Sequence, residues 1–182
     1  MYKRLIYIVL ISFFILSGCT GNNAYKDEDV AAVVRGEKIT VGYLRFLYPD
    51  DAMKEMIDGV VKAKLAEQEV KKMDIDISKQ VKEIKDTYGK YPQDDSNDSE
   101  TQSTRKFADL QAEKLGMDPK EYYQEYTKAS AEMVAYINTY VSEVLGELES
   151  DEFGVEEYDH HANELLDEIV DRNKSKIDIK IK

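Results

Sequence analysis

Apolar residues along this chain follow three spacings. Near the N-terminus they run almost unbroken over residues 5–16, with Ser12 the one polar residue among them. From residue 51 to about residue 170 they recur at three- and four-residue steps, as in helices with one buried face. Around residue 30, and again at the C-terminus, they form short β-prone or alternating stretches.

Residues 30–34 are β-prone, Arg35-Gly36-Glu37-Lys38 supplies a turn, and Ile39-Thr40-Val41 resumes an extended pattern, so a small hairpin is expected. A two-stranded hairpin is marginal alone and needs another element to cover it. The tail provides a partner. In Lys176-Ile177-Asp178-Ile179-Lys180-Ile181-Lys182 isoleucine alternates strictly with polar residues, which puts all three isoleucines on one face of a half-buried strand. The two chain ends are therefore expected to pair in one small sheet.

Helices fill the interval. Met53, Met56, Ile57, Val60, Val61, Leu65, Val70 and Met73 predict a first one, with Pro49 and Asp50 at its start. A second is expected from Ser78, as N-cap, to about Tyr88, with Val81 and Ile84 inward. Residues 91–103 hold Pro92, Asp94, Asp95, Asp98 and Glu100 and no apolar residue after Tyr91, so a mobile loop is expected there. Its acids lack the glycine and closing glutamate of a calcium-binding loop. Phe107, Leu110, Ala112 and Leu115 predict a third helix ending at Gly116, and Asp118-Pro119 restarts the chain as an N-cap followed by proline at the first helical position. Tyr122, Tyr126, Ala129, Met133, Tyr136, Tyr140, Val144 and Leu148 then trace one apolar stripe along a long helix. Phe153-Gly154-Val155 suggests a break before a last helix carrying Ala162, Leu165, Leu166, Ile169 and Val170. The expected fold class is mainly α, several helices around a small β-sheet made by the N-terminal hairpin and the C-terminal strand.

The N-terminal run changes where such a domain works. Lys3 and Arg4 precede it, it is about a dozen residues long, and a permanent membrane span needs about 20. It ends in Leu16-Ser17-Gly18-Cys19, which resembles the lipobox of bacterial lipoproteins. Residues 1–18 are thus expected to be a cleaved signal peptide, and Cys19 the lipid-attachment residue and mature N-terminus. Its diacylglyceryl group would anchor the chain on the extracytoplasmic face of the cell membrane, since two acyl chains hold stably where one does not. Residues 19–29, polar and without apolar periodicity, read as a flexible tether, and 30–182 as the folded domain. Cys19 is the only cysteine, so no disulfide is expected within the chain.

Charge narrows the partners. The whole chain carries -12; the leader holds Lys3 and Arg4 and no acid, leaving -14 on the remainder. Nucleic acid and anionic lipid headgroups are poor partners for such a surface.

Two constellations carry candidate chemistry. Glu157, Asp159, His160, His161 and Glu164 have metal-ligand side chains, and His160 and Glu164 share one helical face. A zinc site would need a third converging ligand, so an acidic solvated stretch is favoured. The second is aromatic: thirteen tyrosines, five of them at 122, 123, 126, 136 and 140, with methionines at 53, 56 and 133. Such side chains suit a surface that grips unfolded segments, although most are expected to be core at helical spacing. No serine, cysteine or lysine has an identifiable base beside it, so no catalytic residue, metal or cofactor is assigned.

Three stretches resemble the SurA N-terminal-like family, the helical chaperone module of SurA and of the PrsA foldase lipoproteins. Val33-Val34-Arg35-Gly36-Glu37-Lys38-Ile39-Thr40 is similar to the family's opening "VNGEKIT" hairpin. Residues 57–78, IDGVVKAKLAEQEVKKMDIDIS, look like its helix of the type "I..KL..QEAKK.GI.VS". Leu115-Gly116-Met117-Asp118-Pro119-Lys120-Glu121-Tyr122-Tyr123 is similar to the "LGM..EEYW" junction of short Gram-positive members. Arg35 stands where the family usually has asparagine, and Tyr123 where it often has tryptophan.

The resemblance implies a non-enzymatic chaperone-like module that binds non-native or envelope proteins outside the membrane. A parvulin isomerase domain, with its two histidines from distant strands, is not recognisable here, where His160 and His161 are adjacent. Two alternatives remain: a scaffold for one envelope partner and, more weakly, a metal-dependent hydrolase using the His160 region.

Overall fold

The hairpin expected near residue 30 is formed by β1 (Val30–Val34) and β2 (Glu37–Thr40), antiparallel, with Val34 opposite Glu37 and Val33 opposite Lys38. Its two-residue turn puts both Arg35 (φ 49°) and Gly36 (φ 88°) in the left-handed region, the backbone that matches the twist of paired strands. The computed structural model describes residues 25–93, 98–146 and 152–181, with the side chains of 152–156 left aside. The leader 1–18, Cys19 and the tether as far as residue 24 lie outside the described residues, as do Asp94, Asp95 and Leu148.

The tail returns to the head. β3 (Ile177–Ile179) pairs antiparallel with β1, Val34 opposite Ile177 and Ala32 opposite Ile179, which gives the strand order β2-β1-β3. The Arg35 amide donates to Lys176 O at 2.8 Å and the Lys180 amide to Ala31 O at 2.8 Å, extending the ladder at both ends. β1 is thereby central, and Ala31, Ala32 and Val34 are fully buried. The three isoleucines of the tail are not equivalent: Ile181 is buried, Ile177 half-buried, and Ile179 is 36% exposed at the rim.

Six helices follow among the described residues. α1 (Val41–Leu47) begins where the sequence pattern suggests continued strand; the Thr40 hydroxyl accepts from the Tyr43 amide at 3.1 Å and turns the chain. Its buried Val41, Leu44 and Leu47 have helical spacing, but seven residues give too few repeats to outweigh the β-prone start. Pro49 and Asp50 lie in the turn before α2 (Met53–Lys72) rather than in its first turn, with the Ala52 amide on Pro49 O. Ser78 opens α3 (Ser78–Tyr88) as its first helical residue, not its cap: Asp76 Oδ1 accepts from both the Ser78 amide and its hydroxyl.

The loop expected over 91–103 is shorter than its composition suggests. Asp98 caps the Thr101 amide at 2.7 Å and α4 (Ser99–Leu115) starts at once, so residues 99–103 are helical. Within α4 the buried side chains are Ala108, Gln111 and Ala112, while Leu110, expected inward, is 56% exposed. The next boundary forms as predicted. Gly116 takes the left-handed conformation, Asp118 Oδ1 accepts from the Lys120 and Glu121 amides, and Pro119 opens α5 (Pro119–Leu145). α6 (Glu152–Asn173) already contains Phe153-Gly154-Val155 in its backbone, so these three residues do not interrupt it.

α2 is the hub, packed against β1, α5 and α6. Ile57, Val60, Val61, Leu65 and Val70 on it meet Ala135, Tyr140, Leu165, Leu166 and Ile169 in the main core. A smaller aromatic core joins α4 and the start of α5 around Ala108, Ala112, Tyr122 and Tyr123, with the Phe46 ring edge-on to Tyr122 at 5.4 Å.

Candidate functional site: a cleft between strand β2 and helix α5

The long stripe expected on α5 divides into two. The residues that meet the body are Tyr122, Tyr123, Thr127, Ala131, Ala135, Thr139, Tyr140 and Val141, and the middle of this face is small. Small side chains let two helices approach closely, so α5 lies tight against α2 there. Ala129, Met133 and Tyr136, members of the expected stripe, sit one step around the helix and are only partly buried. Val144, expected inward, is exposed.

Those three residues form one wall of a cleft of about 430 Å³. The opposite wall is Lys38, Ile39 and Thr40 of β2 with Tyr43 of α1, and the floor is Val60, Ala63, Lys64, Glu67 and Lys71 of α2. Its volume falls in the range of about 300–1,000 Å³ usual for ligand clefts. Tyr43 is 38% exposed, a ring available to whatever lies above it.

One end of the floor is an ion network. Lys64 Nζ lies 2.9 Å from Glu37 Oε2 and 2.9 Å from Glu67 Oε2, and Lys71 Nζ lies 2.5 Å from Glu67 Oε1. Glu37 also accepts from Gln68 Nε2 at 2.8 Å, and Lys71 Nζ stands 5.7 Å from the Tyr136 ring centre. The Lys64 and Gln68 bonds hold the Glu37 carboxyl below its usual range. Burial opposes the charge on Lys64, but its bonds to Glu37 and Glu67 prevail and hold the ammonium above its ordinary range; the Glu67 bond does the same for Lys71. Burial, helped by the Glu67 charge, pushes the Tyr43 phenol up. Lysines held protonated in this way serve as cationic posts rather than nucleophiles. The arrangement is suited to binding: apolar walls with polar tips, fixed charges at one end, and an open side.

The histidine cluster forms pairs instead of a convergent site. His160 Nε2 lies 3.3 Å from Glu164 Oε1, and His161 lies 3.2 Å from Glu164 and 3.8 Å from Glu157, all on the exposed face of α6. Among the described residues no group of three or more His, Cys, Asp or Glu side chains converges as metal ligands would. The aromatic and methionine set is divided: Met53, Tyr122, Tyr123 and Tyr140 are buried, Tyr126 is half-buried, Met133 and Tyr136 line the cleft, and Met56 is exposed elsewhere. Tyr43, Lys38 and the Lys64–Glu67–Lys71 set are not among the candidate functional residues of the sequence-based expectations. The charges at 64, 67 and 71 step by three and four, which is the signal that could have placed them on one face of α2.

Compared with family models, curated proteins and solved structures, the chain matches none. No described helix is long and apolar enough to cross a membrane.

Proposed function

We propose that this chain is a chaperone-like module, lipid-tethered through Cys19 on the extracytoplasmic face of the cell membrane, that holds non-native or partner protein segments without catalysis. The observation that carries the reading is the open-sided cleft in which Tyr43, Met133 and Tyr136 stand over a floor that is apolar at Val60 and Ala63 and charged at Lys64, Glu67 and Lys71. Apolar surface contributes about 25 cal/mol per Å² when covered, so a shallow cleft binds weakly and tolerates many sequences. Tyrosine and methionine adapt to different shapes, which suits such a surface. The three family-like stretches and the lipobox-like Leu16-Ser17-Gly18-Cys19 support the same reading and its Gram-positive setting.

The test is light scattering of a chemically denatured client diluted into buffer with the chain lacking residues 1–18. Delayed aggregation at stoichiometric ratios is the expected result. No delay, together with one tight partner recovered by crosslinking on membranes, would favour a dedicated envelope scaffold. Fatty-acid labelling that survives Cys19→Ala would overturn the tether.

A further inference from the structure

The cleft has one wall that is not made of side chains alone. β2 is an edge strand, and β1 bonds it only on the side away from the cleft. Bonding partners in an antiparallel ladder alternate along a strand. Ala31 and Arg35 of β1 bond toward the tail strand, so Ala32 and Val34 bond toward β2, where they face Ile39 and Glu37. Lys38, between these two, must turn its own N–H and C=O outward. Neither has a partner among the described residues, and the Lys38 ammonium pairs with no carboxylate among them.

We propose that the ligand of the cleft is an extended peptide segment that adds to the open edge of β2, exchanging two backbone hydrogen bonds with Lys38; this rests on the reading that the cleft holds unfolded or partner chains. Strand addition takes its affinity from main-chain bonds and its selectivity from alternate side chains. The residue opposite Lys38 shares that lysine's outward face, where an acid is complementary. Its two neighbours point the other way, onto Val60, Ala63, Met133 and Tyr136. Glu132 on the α5 wall disfavours acids at those neighbouring positions. The preferred segment therefore reads apolar–acidic–apolar, the alternation of an unpaired β-strand.

The probe is a fluorescein-labelled heptapeptide alternating valine and aspartate, with its affinity for the chain lacking residues 1–18 read by anisotropy. N-methylation of the central aspartate removes one of the two backbone bonds and is expected to weaken binding about tenfold. Lys38→Pro removes the outward N–H and the ammonium together without touching the β1 ladder, because proline is tolerated where an edge strand's N–H faces away, and is expected to weaken binding more than Lys38→Ala, which removes the ammonium alone. If that variant does not fold, the methylated peptide decides. Affinity unchanged by the methylation and no weaker in Lys38→Pro than in Lys38→Ala, yet lost in Met133→Asp, would overturn strand addition and leave the cleft as a binding site. No peptide binding with aggregation still delayed also overturns strand addition alone, whereas no binding and no delay overturns the proposed function with it.

Discussion

The guanidinium Nε of Arg35 donates to Asn173 Oδ1 at 2.7 Å, joining the hairpin turn to the last residue of α6 across 138 residues of chain. A second arm of the same guanidinium reaches Glu69 on α2, and the buried Asn173 amide is itself held by Ile169 O at 2.7 Å. A non-glycine residue in the left-handed region is uncommon, and asparagine tolerates it better than arginine. The two partners of the guanidinium, Asn173 and Glu69, account for arginine at this position.

Arg35→Ala is therefore expected to destabilise the fold by about 1–3 kcal/mol, since it leaves the buried Asn173 oxygen without its donor. Urea unfolding checks this. A double-mutant cycle with Asn173→Ala should show coupling between the two; independent effects would remove the bond from the account.

The tail should respond unevenly. Ile181 is buried, so Ile181→Ala is expected to cost about 2–5 kcal/mol. Ile179 stands at the rim, and Ile179→Ala should cost under about 1 kcal/mol. Thermal unfolding of both variants decides, and equal losses would contradict the register of β3.

Stability should be flat between about pH 5 and pH 10 and decline on either side. On the acid side Glu37 is held below its ordinary 4.5 by bonds from Lys64 and Gln68. Glu69 is pushed up by burial but pulled lower still by Lys72 and Arg35. A lowered carboxyl contributes above its unfolded value and loses that contribution as pH falls through the folded one. On the alkaline side burial drives the phenol of Tyr122, which donates to Phe46 O at 2.9 Å, well above its ordinary 10. A raised group contributes below its unfolded value and loses the contribution as pH rises. Urea midpoints against pH test both limbs. Absorbance at the tyrosinate band should show buried phenols that ionise late, among them Tyr43, Tyr48, Tyr122 and Tyr123, with one fewer in Tyr122→Phe than in the wild type.

Met133→Asp should abolish most of the delay in client aggregation while shifting the melting temperature little, because Met133 is only partly buried. Met56→Asp, exposed on α2 away from the cleft, is the matched control. Equal effects from the two would argue for general surface stickiness instead of the cleft.

Some of these relationships are legible in the sequence alone. Strict alternation of isoleucine at 177, 179 and 181 announces a strand, and the only other β-prone stretch lies near Val30, so their pairing follows. Asp118-Pro119 after Gly116 announces a helix boundary because each residue suits one position there. The inner face of α5 departs from the hydrophobic stripe in its middle because Tyr126, Met133 and Tyr136 dominate the pattern, whereas close helix contact selects Thr127, Ala131, Ala135 and Thr139 between the buried Tyr122 and Tyr140. The helical start at Ser99 was hidden by polar residues that favour a loop by composition but form a helix once Asp98 caps it. The cleft was invisible for another reason: β2, α1, α2 and α5 each contribute part of it, and no single segment carries its pattern.

Because β1 sits between a neighbour three residues downstream and another that arrives only at residue 177, the molecule cannot finish itself in the order in which it is made. The hairpin can form early, but its far side stays bare until residues 177–179 emerge, and closing so long a loop is slow. Until then the half-built sheet offers two open borders, and only the helices already made can cover its face.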